Sequence, residues 1–208
     1  MNYEIEKIAS IIESECKGDV ININNDIFIN DLLFDSRLLV SPENTLFFAL
    51  KGQRNDGNKY IKELYNKGVR SFVVDNSTSS NTISSCNKAT FFVVEDTLEA
   101  LQKIAAYHRN NYNVPTIGVT GSNGKTIVKE WLYQILSPEM SVARSPKSYN
   151  SQIGVPLSVW QLNDSHQLAI FEAGISMPGE MDALEKVIKP TIGILTNIGS
   201  AHSQFFKD

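Results

Sequence analysis

The residues best suited to chemistry lie in the segment "TIGVTGSNGKTIVKEWLYQIL". Its glycines recur at every third position, at Gly118, Gly121 and Gly124, and Lys125 and Thr126 follow directly. Glycines between a strand and a helix let backbone N–H groups approach phosphate oxygens, and the helix N-terminus adds partial positive charge. A lysine at this position would reach the terminal phosphates, and a threonine hydroxyl would bind Mg2+. The segment therefore predicts a nucleotide-phosphate site.

The spacing departs from the common pattern G-x-x-x-x-G-K-[ST], which needs a glycine where this chain has Val119. A structural turn that happens to end in Gly-Lys-Thr is therefore an alternative. The apolar stretch before the glycines and the helical pattern after them supply the strand and the helix that a nucleotide site requires, so they favour that interpretation. The loop residues predicted to bind ATP are Thr120, Gly121, Ser122, Asn123, Gly124, Lys125 and Thr126.

A carboxylate follows a second apolar stretch. Glu172 comes after "LAIF", at the carboxyl end of a predicted parallel strand, and this edge of an open sheet is where ligands bind. Across from Thr126, it could hold Mg2+ and offset the charge of ATP. The alternative is a solvated or helix-capping glutamate. Glu180 falls in the first turn of the next predicted helix, where its interaction with the helix dipole favours a structural role.

These residues belong to a region in which strands and helices alternate. Such alternation predicts βαβ units and a parallel sheet covered on both faces. The predicted strands are 116–120, 141–143, 168–172 and 191–196, and the predicted helices are 125–136, 154–162 and 179–188.

The preceding region predicts a separate α/β domain. Its predicted strands are 19–22, 26–33, 45–50, 71–74 and 90–94, its predicted helices are 3–14, 57–68 and 97–112, and the polar segment 75–87 is predicted to be a surface loop. The "NVP" segment suits a linker because proline disfavours helix at the residue before it. The predicted domains are 1–112 and 113–208.

Composition excludes several function classes. The 208 residues carry a net charge of −4, whereas a general nucleic-acid or membrane-surface binder would need a basic face. The acidic N-terminus does not resemble a signal peptide, and no apolar run reaches the roughly 20 residues of a membrane span. Cys16 and Cys86 match no metal or redox spacing and are predicted to be reduced thiols. We expect a soluble, cytoplasmic protein.

The loop, written G-x-T-G-x-N-G-K-T, resembles that of the Mur ligases, the ATP-dependent amide-bond-forming enzymes of peptidoglycan precursor synthesis. Val119 is normal for that group. Folylpolyglutamate and cyanophycin synthetases share a similar loop. The segment "TNIGSAH" resembles the family motif T-N-I-x-x-x-H, and "EAG" resembles its E-x-G. The resemblance implies a metal and substrate site with Thr126, Glu172 and His202 as metal ligands, Lys125, Glu172 and His202 as catalytic residues, and Asn197 beside ATP.

Two further segments carry the resemblance. "SPKSYNSQIGVP" is similar to G-N-x-N-N-x-x-G-x-P, which implies that Asn150 contacts substrate, although Lys147 and Ser148 replace the usual Gly-Asn. A helix N-cap around Ser151 is the equal alternative there. The "DSR" segment and the later "LFFALKG" segment resemble the uridine-binding domain, so Ser36 and Arg37 are expected to contact the UDP part of the substrate. From chemistry alone, a surface turn is the simpler interpretation of "DSR".

The resemblance implies a fold and a reaction. The fold is an N-terminal uridine-binding α/β domain followed by the first part of a P-loop parallel-sheet ATPase domain. The reaction is ATP-dependent, ADP-forming addition of D-alanyl-D-alanine to UDP-N-acetylmuramoyl-tripeptide through an acyl phosphate, with Mg2+. We expect the 208-residue chain alone to be inactive, because the family also uses a C-terminal domain; a fused alanine racemase is a further expectation.

Two alternatives remain open on the sequence alone. One is another P-loop enzyme, either a kinase or a folylpolyglutamate-type ligase. The other is a non-catalytic module that binds UDP-sugars.

Overall fold

The computed structural model describes residues 2–52 and 55–199, and it divides into two compact units, Met1–Ile104 and Ala105–Asp208. Each unit has its own main sheet. The boundary falls within a helix, Thr97–Asn110, rather than in the "NVP" segment. The domain limits 1–112 and 113–208 therefore stay a prediction about folding units.

The first unit is built on a five-stranded sheet. Its elements are β1 (Tyr3–Glu4), α1 (Ile5–Cys16), β2 (Asp19–Ile21), β3 (Phe28–Ile29), β4 (Asp31–Leu33), β5 (Thr45–Phe48), α2 (Ile61–Asn66), β6 (Ser71–Asp75), α3 (Ser80–Ser85), β7 (Thr90–Val94) and α4 (Thr97–Asn110). The strand order is β2-β7-β6-β5-β4, and only β2 runs antiparallel to its neighbour. β1 and β3 form a separate antiparallel pair. Apolar runs without alternation build β5 and β6 because both faces of these strands are buried.

The prediction of a surface loop over residues 75–87 is wrong in part, because α3 lies within that segment. The Ser79 hydroxyl accepts a hydrogen bond from the backbone N–H of Thr82, which caps this helix. A six-residue helix with one partly buried isoleucine, Ile83, shows no apolar periodicity in its sequence. The predicted strand 26–33 is likewise two short strands, β3 and β4, with different partners.

The second unit is built on a four-stranded parallel sheet. Its elements after α4 are β8 (Thr116–Thr120), α5 (Lys125–Leu136), β9 (Val142–Arg144), α6 (Gly154–Val159), β10 (Leu168–Glu172), α7 (Glu180–Ile188) and β11 (Ile192–Leu195). The strand order is β11-β8-β10-β9, and every pairing is parallel. The predicted α/β class with a parallel sheet is confirmed.

Successive residues of β10 serve opposite faces of this sheet. Leu168 and Ile170 pack with the apolar side of α5, while Ala169 and Phe171 pack with α6 and α7. This alternation follows from the two-residue period of a strand. As a result, helices cover both faces of the sheet, and the carboxyl ends of its strands are left open at one edge.

A buried arginine joins the start of the unit to its last helix. The Arg109 side chain donates to the carbonyl oxygens of Ile188 (2.8 Å) and Tyr112 (2.6 Å) and to the Thr116 hydroxyl (2.6 Å). It is only 6 % exposed. The last carbonyl oxygens of a helix receive no hydrogen bond from within the helix. A cation at the end of α7 therefore supplies the missing donor and interacts favourably with the helix dipole.

His108 is a second buried polar residue in this region. Its Nε2 lies 3.0 Å from the Leu162 carbonyl oxygen, and its ring packs against Trp160 and Tyr112. Burial lowers the pKa of His108 to about 4, against the raising effect of the Leu162 hydrogen bond. The ring is therefore neutral at physiological pH and serves the structure. In the part of the chain that is described, no helix is long and apolar enough to cross a bilayer.

Candidate active site

The glycine loop turns sharply between β8 and α5, at the open edge of the parallel sheet. Gly121 has φ +132° and Gly124 has φ +80°, backbone conformations that L-residues with a side chain rarely adopt. A Cβ at Gly121 would also overlap the Thr196 hydroxyl and lie 2.9 Å from the Asn197 carbonyl oxygen. Glycine is required here by both backbone angle and space.

Residues just past β11 hold the outer part of this loop. The backbone N–H of Ser122 donates to the Asn197 carbonyl oxygen (3.0 Å), and that of Asn123 donates to Asn197 Oδ1 (2.9 Å). The Thr196 hydroxyl donates to the Asn123 carbonyl oxygen over 2.5 Å. Asn197 therefore shapes the loop through two N–H groups. Its predicted contact with ATP stays a prediction.

Lys125 begins α5 at the inner end of the loop. Its Nζ donates to the Gly121 carbonyl oxygen over 2.5 Å, so the ammonium is folded back across the loop. The first-turn N–H groups of a helix have no intrahelical acceptor, and they point in the same direction as the positive end of the helix dipole. The loop and α5 together present positive charge to the space in front of them.

Glu172 is the buried carboxylate of the site, at 1 % exposure. Its Oε2 accepts from the Thr126 hydroxyl (2.8 Å), and its Oε1 accepts from the Asn150 side-chain amide (2.6 Å). Its backbone N–H donates to the Ser145 hydroxyl (3.1 Å). The structure therefore brings three predicted site residues, Thr126, Asn150 and Glu172, into direct contact.

Asn150 is positioned from both sides. Its carbonyl oxygen accepts from the N–H of Gly174 (2.7 Å), and a Cβ at Gly174 would lie 3.0 Å from the Asn150 carboxamide carbon. The glycine of "EAG" thus leaves the space that Asn150 occupies. The helix N-cap expected as the alternative for this segment is also present, because the Ser151 hydroxyl accepts from the N–H of Gly154 (3.1 Å) at the start of α6. The Glu180 carboxylate, by contrast, accepts from the backbone N–H groups of Ser176 and Met177.

The oxygens of Thr126 and Glu172 suit a magnesium ion. Mg2+ prefers hard oxygen ligands, and adjacent oxygens of its octahedron lie about 2.9 Å apart. The observed separation of the Thr126 and Glu172 oxygens is 2.8 Å. Within residues 2–52 and 55–199, no three His, Cys, Asp or Glu side chains are grouped as metal ligands. His202, the third predicted ligand, lies outside the described residues.

Lys129 was not anticipated from the sequence, although it lies at the centre of the site. It is fully buried, and its Nζ donates to the carbonyl oxygens of Ser145 (2.8 Å) and Lys147. It also lies 3.9 Å from Glu172 Oε2 and 3.2 Å from Glu130 Oε1. Burial lowers the pKa of Lys129, and the Glu172 carboxylate opposes this shift. The signal in the sequence that could have found it is its spacing, because Lys129 shares a helix face with Leu132 and Leu136, which pack on the core.

Ser36 and Arg37 belong to the first unit, in a short 3-10 helix, Ser36–Leu38. The Arg37 side chain is 85 % exposed and forms a two-pronged ion pair with Asp35. This hydrogen bond from Arg37 lowers the pKa of Asp35. The turn expected from chemistry is present, and it presents a guanidinium to solvent.

Comparison with known proteins assigns the family. The family model described as "Mur ligase family, catalytic domain" matches residues 35–109, and "Mur ligase middle domain" matches residues 119–208. The chain belongs to the Mur ligase family. The two matched regions of this Mur ligase chain contain the "DSR" segment and the glycine loop, respectively.

Individual Mur ligases are similar along almost the whole chain. The UDP-N-acetylmuramoyl-tripeptide–D-alanyl-D-alanine ligase of Synechocystis sp. is 39 % identical over 197 residues, which is 94 % of this chain and 41 % of the relative. The ligase of the same name from Borreliella burgdorferi is 36 % identical over 92 % of this chain and 42 % of its own length. This chain therefore spans about two fifths of the curated relatives it matches.

Solved structures agree with this assignment. A crystal structure of MurF from Acinetobacter baumannii has a TM-score of 0.85 and 29 % identity, covering 99 % of this chain and 43 % of that one. MurF ligase from Thermotoga maritima, solved in complex with ADP, has a TM-score of 0.73 and 31 % identity, covering 85 % of this chain and 39 % of that one. The fold described above is that of the corresponding part of these Mur ligases.

Proposed function

We propose that the chain is the N-terminal part of an ADP-forming ligase that adds D-alanyl-D-alanine to UDP-N-acetylmuramoyl-tripeptide. The similar curated relatives bear that name. The observation that carries the proposal is the contact between the Thr126 hydroxyl and the buried Glu172 carboxylate, directly beside the glycine loop. This pair places oxygen ligands next to a positively charged phosphate cradle, as ATP-dependent chemistry requires.

The reaction begins between two anions. A carboxylate oxygen of the UDP-linked peptide attacks the γ-phosphorus of ATP, and the bond from that phosphorus to the bridging oxygen breaks, which releases ADP and leaves an acyl phosphate. The Lys125 ammonium and the first-turn N–H groups of α5 would lower the repulsion, because they would place positive charge beside the phosphates. Mg2+, held by Thr126 and Glu172, would supply further positive charge at the phosphates.

The second step forms the amide. The amine of D-alanyl-D-alanine attacks the acyl carbon, the bond from that carbon to the phosphate oxygen breaks, and the nitrogen loses a proton. Asn150 would hold the Glu172 carboxylate in place during both steps, since its amide donates to Oε1. ATP would also be bordered by Thr120, Ser122 and Asn123, with Asn197 behind the loop.

The UDP part of the peptide substrate would bind to the first unit. Ser36 and Arg37 would bind the diphosphate, because a planar guanidinium can donate two hydrogen bonds to phosphate oxygens. The Asp35 carboxylate already orients this guanidinium. The exposure of the Arg37 side chain leaves it accessible to a ligand.

The whole ligase would need residues beyond position 208. Its relatives are more than twice as long, so the amine-binding domain and further nucleotide contacts would lie outside this chain. His202 would contribute to the metal and substrate site. A cytoplasmic location fits a reaction that consumes ATP. The fused alanine racemase stays a prediction, which the natural reading frame beyond Asp208 would test.

Calorimetric titration of the 208-residue chain with MgATP tests the nucleotide site. We expect Lys125→Ala to weaken binding by about tenfold or more, because one charge-assisted contact to phosphate contributes about 1.5–3 kcal/mol. Lys186→Ala is the control, since it removes an exposed lysine on α7. Equal binding by all three proteins would exclude Lys125 as a phosphate contact, and absence of binding by the wild-type chain would refute the nucleotide site.

The peptide-substrate site needs a separate titration. We expect UDP-N-acetylmuramoyl-tripeptide to bind the wild-type chain and to lose binding in the double variant Ser36→Ala, Arg37→Ala. Lys62→Ala, another exposed change in the first unit, should bind normally. If both variants bind this substrate as well as the wild type does, a different Mur or folylpolyglutamate-type ligase is favoured. Detectable D-alanyl-D-alanine addition by the chain alone would show that residues beyond 208 are dispensable.

A further inference from the structure

The most unusual charged residue of the second unit is Lys129, one helical turn after Lys125 on α5. It is an ammonium with 0 % exposure. Removing an ammonium from water costs several kcal/mol unless hydrogen bonds and opposite charge compensate it. A solvent-facing helix position would avoid this cost altogether, so the partners of Lys129 indicate what its burial achieves.

Apart from Glu130, which neighbours it on α5, those partners lie at the edge of the sheet that carries the candidate site. An ammonium has three N–H donors. Two of them are directed to the carbonyl oxygens of Ser145 and Lys147, and Glu130 Oε1 lies 3.2 Å away. The Glu172 carboxylate, at 3.9 Å, is too far for a hydrogen bond but close enough for charge attraction.

The segment that Lys129 holds also supplies the side chains around Glu172. The Ser145 hydroxyl accepts from the Glu172 N–H, and Ser148 Oγ lies 3.3 Å from Thr126 Oγ1. Asn150, at the end of the same segment, donates to Glu172. Lys129 therefore joins the first residues of this segment to α5, and Asn150, its last residue, joins it to β10.

The backbone of this segment needs such an attachment. Lys147 has φ +49°, in the left-handed region that residues with a side chain adopt only when their surroundings impose it. The carbonyl oxygen of this residue is the one that accepts from Lys129. The hydrogen bond thus stabilises a peptide orientation that the backbone alone disfavours.

We propose that Lys129 is a positioning residue of the nucleotide site, which holds the 145–150 segment and balances the buried charge of Glu172. It would not touch ATP. Without it, Glu172 would lose the ammonium that lies 3.9 Å from its Oε2, the Lys147 peptide would relax, and Asn150 would shift from Glu172. The oxygen pair of Thr126 and Glu172 would then be poorly oriented for Mg2+. This inference rests on the nucleotide site proposed above.

The test compares Lys129→Met with Arg109→Met in the 208-residue chain. Both replace a buried cation that donates to main-chain carbonyls in the same unit, and both should lower the thermal stability. Arg109 contacts the opposite end of β8, at Thr116, and not the candidate site. We expect MgATP binding to weaken about tenfold or more in Lys129→Met and less than about threefold in Arg109→Met.

A nucleotide-free measurement separates this inference from the function. In 15N–1H correlation spectra, the side-chain amide signal of Asn150 should move in Lys129→Met and stay unchanged in Arg109→Met. Lys129→Arg, which keeps the charge, should restore part of both the signal and the binding. An unmoved Asn150 signal, or equal MgATP affinity in the two methionine variants, would overturn the inference. Absence of MgATP binding by the wild-type chain would instead refute the nucleotide site and this role together.

Discussion

The Thr126 hydroxyl donates to the Glu172 carboxylate over 2.8 Å and so joins the first turn of α5 to the end of β10. These residues are 46 positions apart in the chain, and the parallel pairing of β8 with β10 brings them together. Their contact combines a helix N-terminus with a buried acid. Positive and negative groups are thereby set side by side in a site that would hold a phosphate and a metal.

Replacing Glu172 with glutamine should remove most of the effect of Mg2+ on ATP binding. The amide has one carbonyl oxygen and no charge, so it is a much poorer ligand for a hard cation. Calorimetric titrations with and without Mg2+ measure the difference, which we expect to shrink by about tenfold. Glu180→Gln is the control because the Glu180 carboxylate accepts from the N–H groups of Ser176 and Met177, in the loop before α7, and should affect stability alone. An undiminished Mg2+ effect in Glu172→Gln would exclude Glu172 as a ligand.

Replacing Gly121 with alanine should damage both the fold and the site. The new Cβ would overlap the Thr196 hydroxyl at a φ of +132°, so we expect a loss of about 1–3 kcal/mol in the free energy of unfolding. Urea denaturation measures this loss. Gly193→Ala is the matched control, because nothing lies within 4 Å of a Cβ there. Similar stability of the two variants would contradict the steric account of the loop.

Stability should fall as the pH is lowered, partly because of His108. The pKa is about 4 in the folded chain and 6.5 ordinarily, so His108 is neutral in both states above pH 6.5. Between these values the unfolded chain binds a proton that the folded chain does not. The unfolding free energy should therefore drop with falling pH, by up to about 1.4 kcal/mol per pH unit from this group.

Denaturation at several pH values checks the histidine contribution. His108→Gln should have a shallower dependence between pH 6.5 and 4 than the wild type. An unchanged slope in His108→Gln would mean that carboxylates alone determine the acid sensitivity.

Replacing Arg109 with methionine should destabilise the chain strongly. The change leaves the carbonyls of Ile188 and Tyr112 without their donor in a buried place, and we expect a cost of about 2–4 kcal/mol. Thermal unfolding should show a lower Tm. Arg37→Met, which alters an exposed side chain of the first unit, should leave the Tm almost unchanged. A comparable effect of the two changes would contradict the structural role of Arg109.

Local patterns in the sequence predicted the loop and the acid. Three glycines before Lys125 and Thr126 could be recognised because phosphate binding depends on consecutive backbone groups. Glu172 could be recognised because a charged residue directly after an apolar strand lies at the open edge of a parallel sheet. In contrast, the six-residue helix α3 has no apolar period, and its serines and asparagines also suit a loop.

The sequence by itself determined the order of strands and helices in the second unit, the position of the loop and the identity of the acid, because each depends on neighbouring residues. Only the tertiary structure decided which polar groups meet. Lys129 is a residue type that favours solvent, yet its ammonium is buried against the carbonyl oxygens of Ser145 and Lys147. Asn150 reaches Glu172 because two distant segments converge on one edge of the sheet. Such contacts depend on chain topology, which no local pattern contains.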